Sequence, residues 1–435
     1  MHFKISTIND TATFDEDDLF YRVEQAEAIT SILSNSTDPL VISLEAEWGQ
    51  GKTTFVHKWG HLLEEHQIPY LYIDAYKGDF NSDAFLFLAS EIYAFAKNNL
   101  SEDDEVIKNL KSKVVSVGGS LLKAGVKTGL QVATAGLFNN KAMDDFEKNL
   151  STELTSCTNA YISNAIENYS EQKEDLLKLS KTLTELAKAL NNSTNPLIVI
   201  VDELDRCRPS FALELLEVIK HLFSAKNVSF ILVNNPKQMR ESIKLQYGTE
   251  VDAGAYLRKF YDLSIPLSQG ERHSATTEQI IQFAKEALLK ASGRDFQSRE
   301  EIAFQVSLYY NTIKLSLRDI QKIAITIALL RTVNSGNLLH GMEVIISAVA
   351  VLYVMNRDLL IRIYYQQASP TEIDQYFKFK SITTEDSYYG QIRHQLFSLA
   401  LSDYSPGADQ LAANIIHNRE HLCQKVIAPL LSIRI

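Results

Sequence analysis

Short apolar segments of strand length recur between residues 39 and 233 of the chain. They predict β-strands, because β-branched and aromatic residues fill them and polar or turn-forming residues border them. The segments are residues 39–44, 69–76, 197–201 and 228–233. Residues 197–201 read Leu-Ile-Val-Ile-Val, a run without any polar position that is typical of a central strand buried on both faces of a parallel sheet.

Apolar residues at helical spacing occupy the stretches around these strands. An acidic turn at residues 15–18 leads into an amphipathic helix that ends near Leu33, and further helices are predicted over residues 53–65 and 211–223. The stretch 82–190 is helical in pattern and is predicted to be an insert within the sheet domain. Strands that alternate with helices predict an α/β fold with a parallel sheet.

Beyond Pro266 the pattern is helical. The predicted helices lie near residues 276–292, 298–311, 317–332, 341–365 and 408–432. We therefore predict three parts, which are an N-terminal extension (1–13), an α/β domain (14–270) and a helical C-terminal domain (271–435).

Composition and charge indicate a globular protein of ordinary type. Of 435 residues, 45% are hydrophobic and 22% are charged, and the net charge of -11 argues against general binding of nucleic acid. The three cysteines, Cys157, Cys207 and Cys423, are far apart and suggest neither a disulfide framework nor a zinc site. The N-terminus lacks an export signal, so we expect a cytoplasmic protein.

A glycine-rich loop follows the first predicted strand and leads into a helix. It is similar to the pattern G-x-x-x-x-G-K-[ST], whose backbone N–H groups wrap phosphates while its lysine reaches the outer phosphates. Ala46 replaces the first glycine, which is the smallest possible departure. The alternative is a glycine-rich turn before an ordinary surface helix. The residues expected to contact ATP are Glu47, Trp48, Gly49, Gln50, Gly51, Lys52, Thr53 and Thr54.

Two acids end the most apolar strand. Asp202 and Glu203 follow Val201 directly. We expect Asp202 to bind Mg²⁺ through water, with Thr53 as a further ligand, and Glu203 to act as the catalytic group that polarises the attacking water. A strand exit into solvent is the alternative for the two acids alone. The loop and the acids in the correct order in one chain predict a magnesium-dependent P-loop ATPase.

The chain resembles the KAP family of P-loop NTPases over roughly residues 14–330. The resemblance is carried by the stretch from Asp202 to Phe223, by the Trp48 to Lys52 loop, and by Tyr256-Leu257-Arg258-Lys259-Phe260. It implies an additional-strand NTPase with a helical insert. Many members carry transmembrane helices in the insert, and several bacterial members look like parts of anti-phage defence.

The insert of this chain departs from the membrane-bound members. Its best candidate span, residues 114–138, contains Lys123, Lys127 and many small polar residues, whereas a span needs about 20 mostly apolar residues. We therefore predict that membrane association is absent.

Further residues have both a functional and an ordinary interpretation. Asn235 follows the fourth predicted strand, where related ATPases place a polar group near the γ-phosphate, but Asn-Asn-Pro also favours a turn. Arg318 is similar to a nucleotide-sensing arginine, and a surface pair with Asp319 is the alternative. Arg258 and Lys259 are expected to reach the γ-phosphate of a neighbouring subunit, or else to be solvated on a helix face.

The predicted activity is ATP hydrolysis coupled to a conformational or partner-binding switch, with ATP and Mg²⁺ as cofactors. A nucleotide-dependent scaffold that hydrolyses slowly or not at all is the alternative. Expected partners are a second copy of the chain on ATP binding and a protein effector.

Overall fold

A computed structural model of the protein describes residues 13–14, 18–36, 38–80, 83–101, 104–109, 179–190, 195–268, 276–293, 295–296, 298–333, 343–378 and 423–432. The predicted extension up to residue 12, the candidate span 114–138, most of the insert and the predicted helix from 408 to 422 lie outside these residues.

Five parallel strands form one sheet with the order β2-β3-β4-β1-β5. The strands are β1 (Val41–Glu45), β2 (Tyr70–Asp74), β3 (Leu197–Asp202), β4 (Val228–Asn234) and β5 (Leu263–Pro266). The structure confirms the α/β class with a parallel sheet. Because β4 separates β1 from β3, it is the additional strand that the family resemblance implies.

Strand β5 is the one element of the sheet that the sequence pattern did not predict. It pairs with β1 from Ile42 opposite Leu263 to Glu45 opposite Pro266. Its side chains are mostly exposed, so a continuous apolar run is absent from its sequence. Backbone pairing with β1, rather than hydrophobic patterning, therefore defines this edge strand.

Helices flank the sheet, and further helices follow it along the chain. One predicted helix, over residues 341–365, is two helices in the structure, because the side chain of Asn356 accepts a hydrogen bond from the N–H of Leu359 (3.1 Å) and caps a new helix. The helices are Arg22–Asn35, Lys52–Glu65, Ala75–Gly78, Ala84–Asn99, Pro209–Leu222, Pro236–Tyr247, Ala253–Leu257, Thr277–Ser292, Arg299–Ile313, Leu317–Val333, Glu343–Met355, Arg357–Tyr364, Pro370–Phe377 and Ala428–Ser432, with a 3₁₀ turn at Leu204–Arg206 and a π-helical turn at Cys423–Ile427.

Hydrophobic clusters cover both faces of the sheet. Val199 and Val201 of β3 pack into one cluster, whereas Ile198 and Ile200 pack into the other, together with Trp59. Alternate residues of a strand point to opposite faces, so burial on both faces requires the unbroken apolar run that the sequence shows. A third cluster joins the helices from Thr277 onward and includes Phe20 from the N-terminal segment.

No helix in the described ranges combines the length and the apolar character needed to cross a membrane.

Candidate active site

The glycine-rich loop joins the end of β1 to the helix Lys52–Glu65. Gly49 and Gly51 have φ angles of 80° and 82°, a left-handed conformation that glycine adopts without strain. The φ angle of Ala46 is not positive, and its N–H donates to the carbonyl of Asn234 (3.2 Å). The backbone at Ala46 therefore does not require glycine, which accounts for the departure from the usual pattern.

The loop is also in direct contact with the helix Leu317–Val333. A Cβ atom on Gly49 would lie 2.5 Å from Ser316 Oγ and 3.0 Å from Arg318 Cβ. The N–H of Arg318 donates to the carbonyl of Gly49 (3.1 Å). Glycine at this position thus permits both the conformation of the loop and the close approach of the helical region.

Lys52 is the first residue of the helix that follows the loop, and it is almost fully buried. Its Nζ donates to the carbonyl of Ala46 (2.8 Å) and lies 4.0 Å from Asp205 Oδ2. Burial lowers the pKa of Lys52, and the neighbouring charge of Asp205 opposes that shift. The carbonyl of Ala46 therefore holds the ammonium group at the phosphate loop, and the buried carboxylate of Asp205, which our sequence analysis did not identify as a site residue, adds a more distant attraction.

Asp202 ends β3 and has no exposed surface. It accepts hydrogen bonds from the N–H of Glu203 (2.7 Å) and from the hydroxyl of Tyr72 (3.3 Å). Burial raises the pKa of Asp202 from 3.8 to about 7, and the charge of Glu203 adds to the effect. Its negative charge is thus poorly solvated within the protein.

Glu203 is engaged by two neighbours. Its Oε1 accepts a hydrogen bond from Thr53 Oγ1 (3.1 Å), and its Oε2 lies 2.5 Å from Arg206 Nε. Burial raises the pKa of Glu203, while Arg206 opposes the shift. Two arginines, Arg206 and Arg208, follow the two acids within a few residues. In the structure Arg206 pairs with Glu203, and Arg208 pairs with Asp79 (3.0 Å).

The donor set at this point suits a magnesium ion. Mg²⁺ in phosphate-loop proteins takes one hydroxyl and one carboxylate from the protein, and phosphates and waters complete its shell. Thr53 supplies the hydroxyl, and Asp202 supplies a buried carboxylate whose raised pKa a cation would lower. Across the described ranges no cluster of three or more His, Cys, Asp or Glu side chains could hold a metal by itself.

A family model described as "KAP family P-loop domain" matches residues 22–334, which are most of the chain. The chain belongs to the KAP family of P-loop NTPases. It is 26% identical to the uncharacterized protein MJ0182 of Methanocaldococcus jannaschii over 180 residues, which are 37% of this chain and 88% of that protein.

Two solved structures are similar to this KAP family member over nearly the whole chain. Cdc6p from Pyrobaculum aerophilum aligns with a TM-score of 0.41 at 13% identity, covering 97% of this chain and 89% of that one. The ORC2 protein of Aeropyrum pernix, solved as ADPNP–ADP complexes, aligns with a TM-score of 0.39 at 13% identity, covering 95% and 99%. Likenesses of this size carry no argument about function.

Trp48 takes a position in this KAP family member that the sequence did not predict. Its contact with ATP stays a prediction. In the structure its indole N–H donates to Asp205, and 47% of the residue remains exposed. Asp205 therefore contacts both Trp48 and Lys52, and its second oxygen, Oδ1, is buried without a hydrogen-bond partner.

The other predicted loop residues differ in their exposure. The side chain of Glu47 is exposed and pairs with Lys237, and Thr54 is exposed in the first helical turn. Gln50 is buried, and its Oε1 is without a hydrogen-bond partner. The loop also borders a cleft of about 520 Å³ between the ends of β1, β4 and β5 and the helix Arg299–Ile313.

Two further predicted residues, Asn235 and Arg318, lie at the starts of helices. Asn235 caps the helix Pro236–Tyr247, since its side chain accepts from the N–H of Lys237 (3.1 Å), as the turn interpretation expects. Arg318 contacts the loop through its backbone N–H, which donates to the carbonyl of Gly49. Asp319 accepts a hydrogen bond from the hydroxyl of Ser316 (2.7 Å) instead of forming a surface pair with Arg318. Among the described residues, Arg318 forms no side-chain ion pair.

The structure does not bring Arg258 and Lys259 to the phosphate loop of the same chain. Both are exposed and precede β5, whose first residues lie beside the start of β1, whereas the loop follows the end of β1. Lys259 Nζ lies 5.6 Å from the ring centre of Tyr256. A role for either cation in catalysis would therefore require a neighbouring subunit.

Proposed function

We propose that this protein binds ATP with Mg²⁺ and hydrolyses it to ADP and phosphate. The observation that carries the proposal is the 3.1 Å contact between Thr53 of the phosphate loop and Glu203 at the end of β3. The two residues are 150 positions apart, and the parallel sheet brings the loop and the acids to the same edge. A bound Mg²⁺ would neutralise phosphate charge there.

Each side chain has a distinct role in this proposal. Lys52 binds the outer phosphates, Thr53 and Asp202 hold the cation, and Glu203 orients the attacking water. Lys52 is already held at the loop by its hydrogen bond to the carbonyl of Ala46, so little ordering is needed when phosphate arrives.

We further propose that the nucleotide state is transmitted to the helical C-terminal region. The carbonyl of Gly49 and the N–H of Arg318 form a direct link between the phosphate loop and the helix Leu317–Val333. A change in the loop on binding or hydrolysis would alter this contact, and the helical region would then present a different surface to a protein partner. A role in antiviral defence rests on the family resemblance.

Loss of phosphate binding tests the proposed activity. Lys52→Ala is expected to lose ATP binding and phosphate release, because it removes the charge that contacts the outer phosphates. Lys58→Ala is the matched control, since Lys58 belongs to the same helix but contacts the ring of Phe14 (5.8 Å). Unchanged ATP turnover in Lys52→Ala would refute the site.

A switch that hydrolyses slowly is the second candidate, and the engagement of Glu203 favours it. Thr53 and Arg206 occupy both carboxylate oxygens that would otherwise orient water. Phosphate release measured beside ATP affinity separates the two candidates. An enzyme loses turnover in Glu203→Gln while it keeps ATP affinity, whereas a non-hydrolysing switch shows tight binding and no turnover even in the wild type.

A further inference from the structure

Arg22 lies directly behind the phosphate loop, although it is distant from the loop in sequence. It is the first residue of the helix Arg22–Asn35, and only 7% of it is exposed. Its guanidinium group donates to the carbonyls of Gln50 (2.7 Å) and Ser268 (3.0 Å), with a longer contact to the carbonyl of Gly51 (3.5 Å). The phosphate loop is thus bonded from behind to a buried cation.

The contact with backbone carbonyls has a consequence for the N–H groups of the loop. The C=O and N–H of a trans peptide unit point in opposite directions, and no peptide bond among the described residues is cis. A carbonyl of Gln50 that points toward Arg22 therefore directs the N–H of Gly51 away from Arg22. The same relation holds, through the longer contact, for the carbonyl of Gly51 and the N–H of Lys52.

These N–H groups are the ones that a phosphate loop uses to bind its ligand. We propose that Arg22 is a positioning residue for nucleotide binding, which fixes the peptide units from Gln50 to Lys52 with their N–H groups turned toward the phosphates. This inference deepens the proposed function and rests on it.

The position of Arg22 also costs the protein free energy, as expected for a residue kept for function. Burial lowers the pKa of Arg22 to about 10, with Asp18 opposing the shift, so the guanidinium group remains charged at neutral pH. In the described part of the chain it forms no ion pair within 4 Å, and the ring of Phe20 covers it at 5.1 Å. Its polar partners are chiefly backbone carbonyls, two of which belong to the phosphate loop.

Gln25 provides a matched control on the same helix. Its side chain donates to the carbonyl of Pro266 (2.8 Å) and accepts from the N–H of Ser268 (2.7 Å). It therefore attaches the helix to the end of β5, as Arg22 does through Ser268, but without contact to the loop. A variant of Gln25 therefore shows how nucleotide affinity changes when the attachment of the helix Arg22–Asn35 is weakened and the contacts of Arg22 with the loop are kept.

The experiment measures ATP and ADP affinity by calorimetry in EDTA, together with the thermal unfolding of the free protein. Arg22→Lys keeps the charge but loses the planar fork, and we expect its affinity for both nucleotides to fall about tenfold or more. Gln25→Leu is expected to lower the unfolding temperature about as much as Arg22→Lys does, while its affinity for both nucleotides stays within about twofold of the wild-type value. Arg22→Gln, which retains a single donor group, is the second variant if Arg22→Lys does not fold.

The outcomes distinguish this inference from the proposed function. Nucleotide affinity that is equal in wild type, Arg22→Lys and Arg22→Gln would overturn the role of Arg22 and leave the proposed function intact. Equal losses of affinity in Arg22→Lys and Gln25→Leu would also overturn it, because helix attachment alone would then explain the effect. Wild-type protein that does not bind ATP at all would instead refute the proposed function.

Discussion

The buried carboxylate of Asp202 makes a prediction about stability that is independent of catalysis. Asp202→Asn is expected to stabilise the free protein at neutral and alkaline pH. The amide keeps the acceptor for the N–H of Glu203 and can bond to the hydroxyl of Tyr72, so the contacts of Asp202 are largely preserved. The substitution removes the negative charge of a side chain that is fully buried.

The magnitude follows from the pKa of Asp202, which rises from 3.8 to about 7 on folding. At pH values below 3.8, the pKa of the unfolded chain, the carboxyl is protonated in both the folded and the unfolded protein and does not lower the free energy of unfolding. As the pH rises toward 7, the unfolded chain ionises first, so stability falls. The cost reaches about 4 kcal/mol above pH 7 and is about 1.5 kcal/mol at pH 5.

The assay is urea or thermal unfolding of the free protein in EDTA at about pH 5 and about pH 8. The stabilisation by Asp202→Asn over wild type is expected to be larger at the higher pH, by about 3 kcal/mol. Glu250→Gln, which removes an exposed carboxylate, is the control and should show no such difference. A variant that is less stable than wild type at both pH values, by a constant amount, would refute the reasoning.

Two further predictions concern the loop and self-association. Gly49→Ala is expected to weaken ATP binding at least about tenfold, because the new Cβ would clash with Ser316 and the positive φ of residue 49 is unfavourable for alanine. Gly248→Ala is the control, since Gly248 also has a positive φ (97°) but open space around it. This variant should lower stability without changing ATP affinity. A Gly49→Ala protein with wild-type affinity would contradict the packing argument. ATP is expected to promote self-association, with turnover lost in Arg258→Ala or Lys259→Ala, as light scattering and phosphate release would show. A monomer with and without ATP, with both variants fully active, would leave that idea without support.

The sequence by itself determined the features that depend on local pattern. The strands β1, β3 and β4 are mostly apolar because they are buried in the sheet, and the glycines of the loop are needed for backbone angles that other residues rarely adopt. Lys52, Thr53 and Asp202 could be proposed as site residues from the sequence because each lies shortly after a recognisable apolar segment. Spacing along the chain is sufficient for such features.

The tertiary structure alone decided which distant groups meet. Strand β5 has mostly exposed side chains, and only its pairing with β1 defines it. Arg22 contacts Ser268 across 246 positions, and Trp48 contacts Asp205 across 157. No local pattern contains such pairings, because they result from the order of strands in the sheet and from where the helices pack. The pairing of Glu203 with Arg206 joins residues only three positions apart, but the sequence alone did not show which partner Arg206 takes.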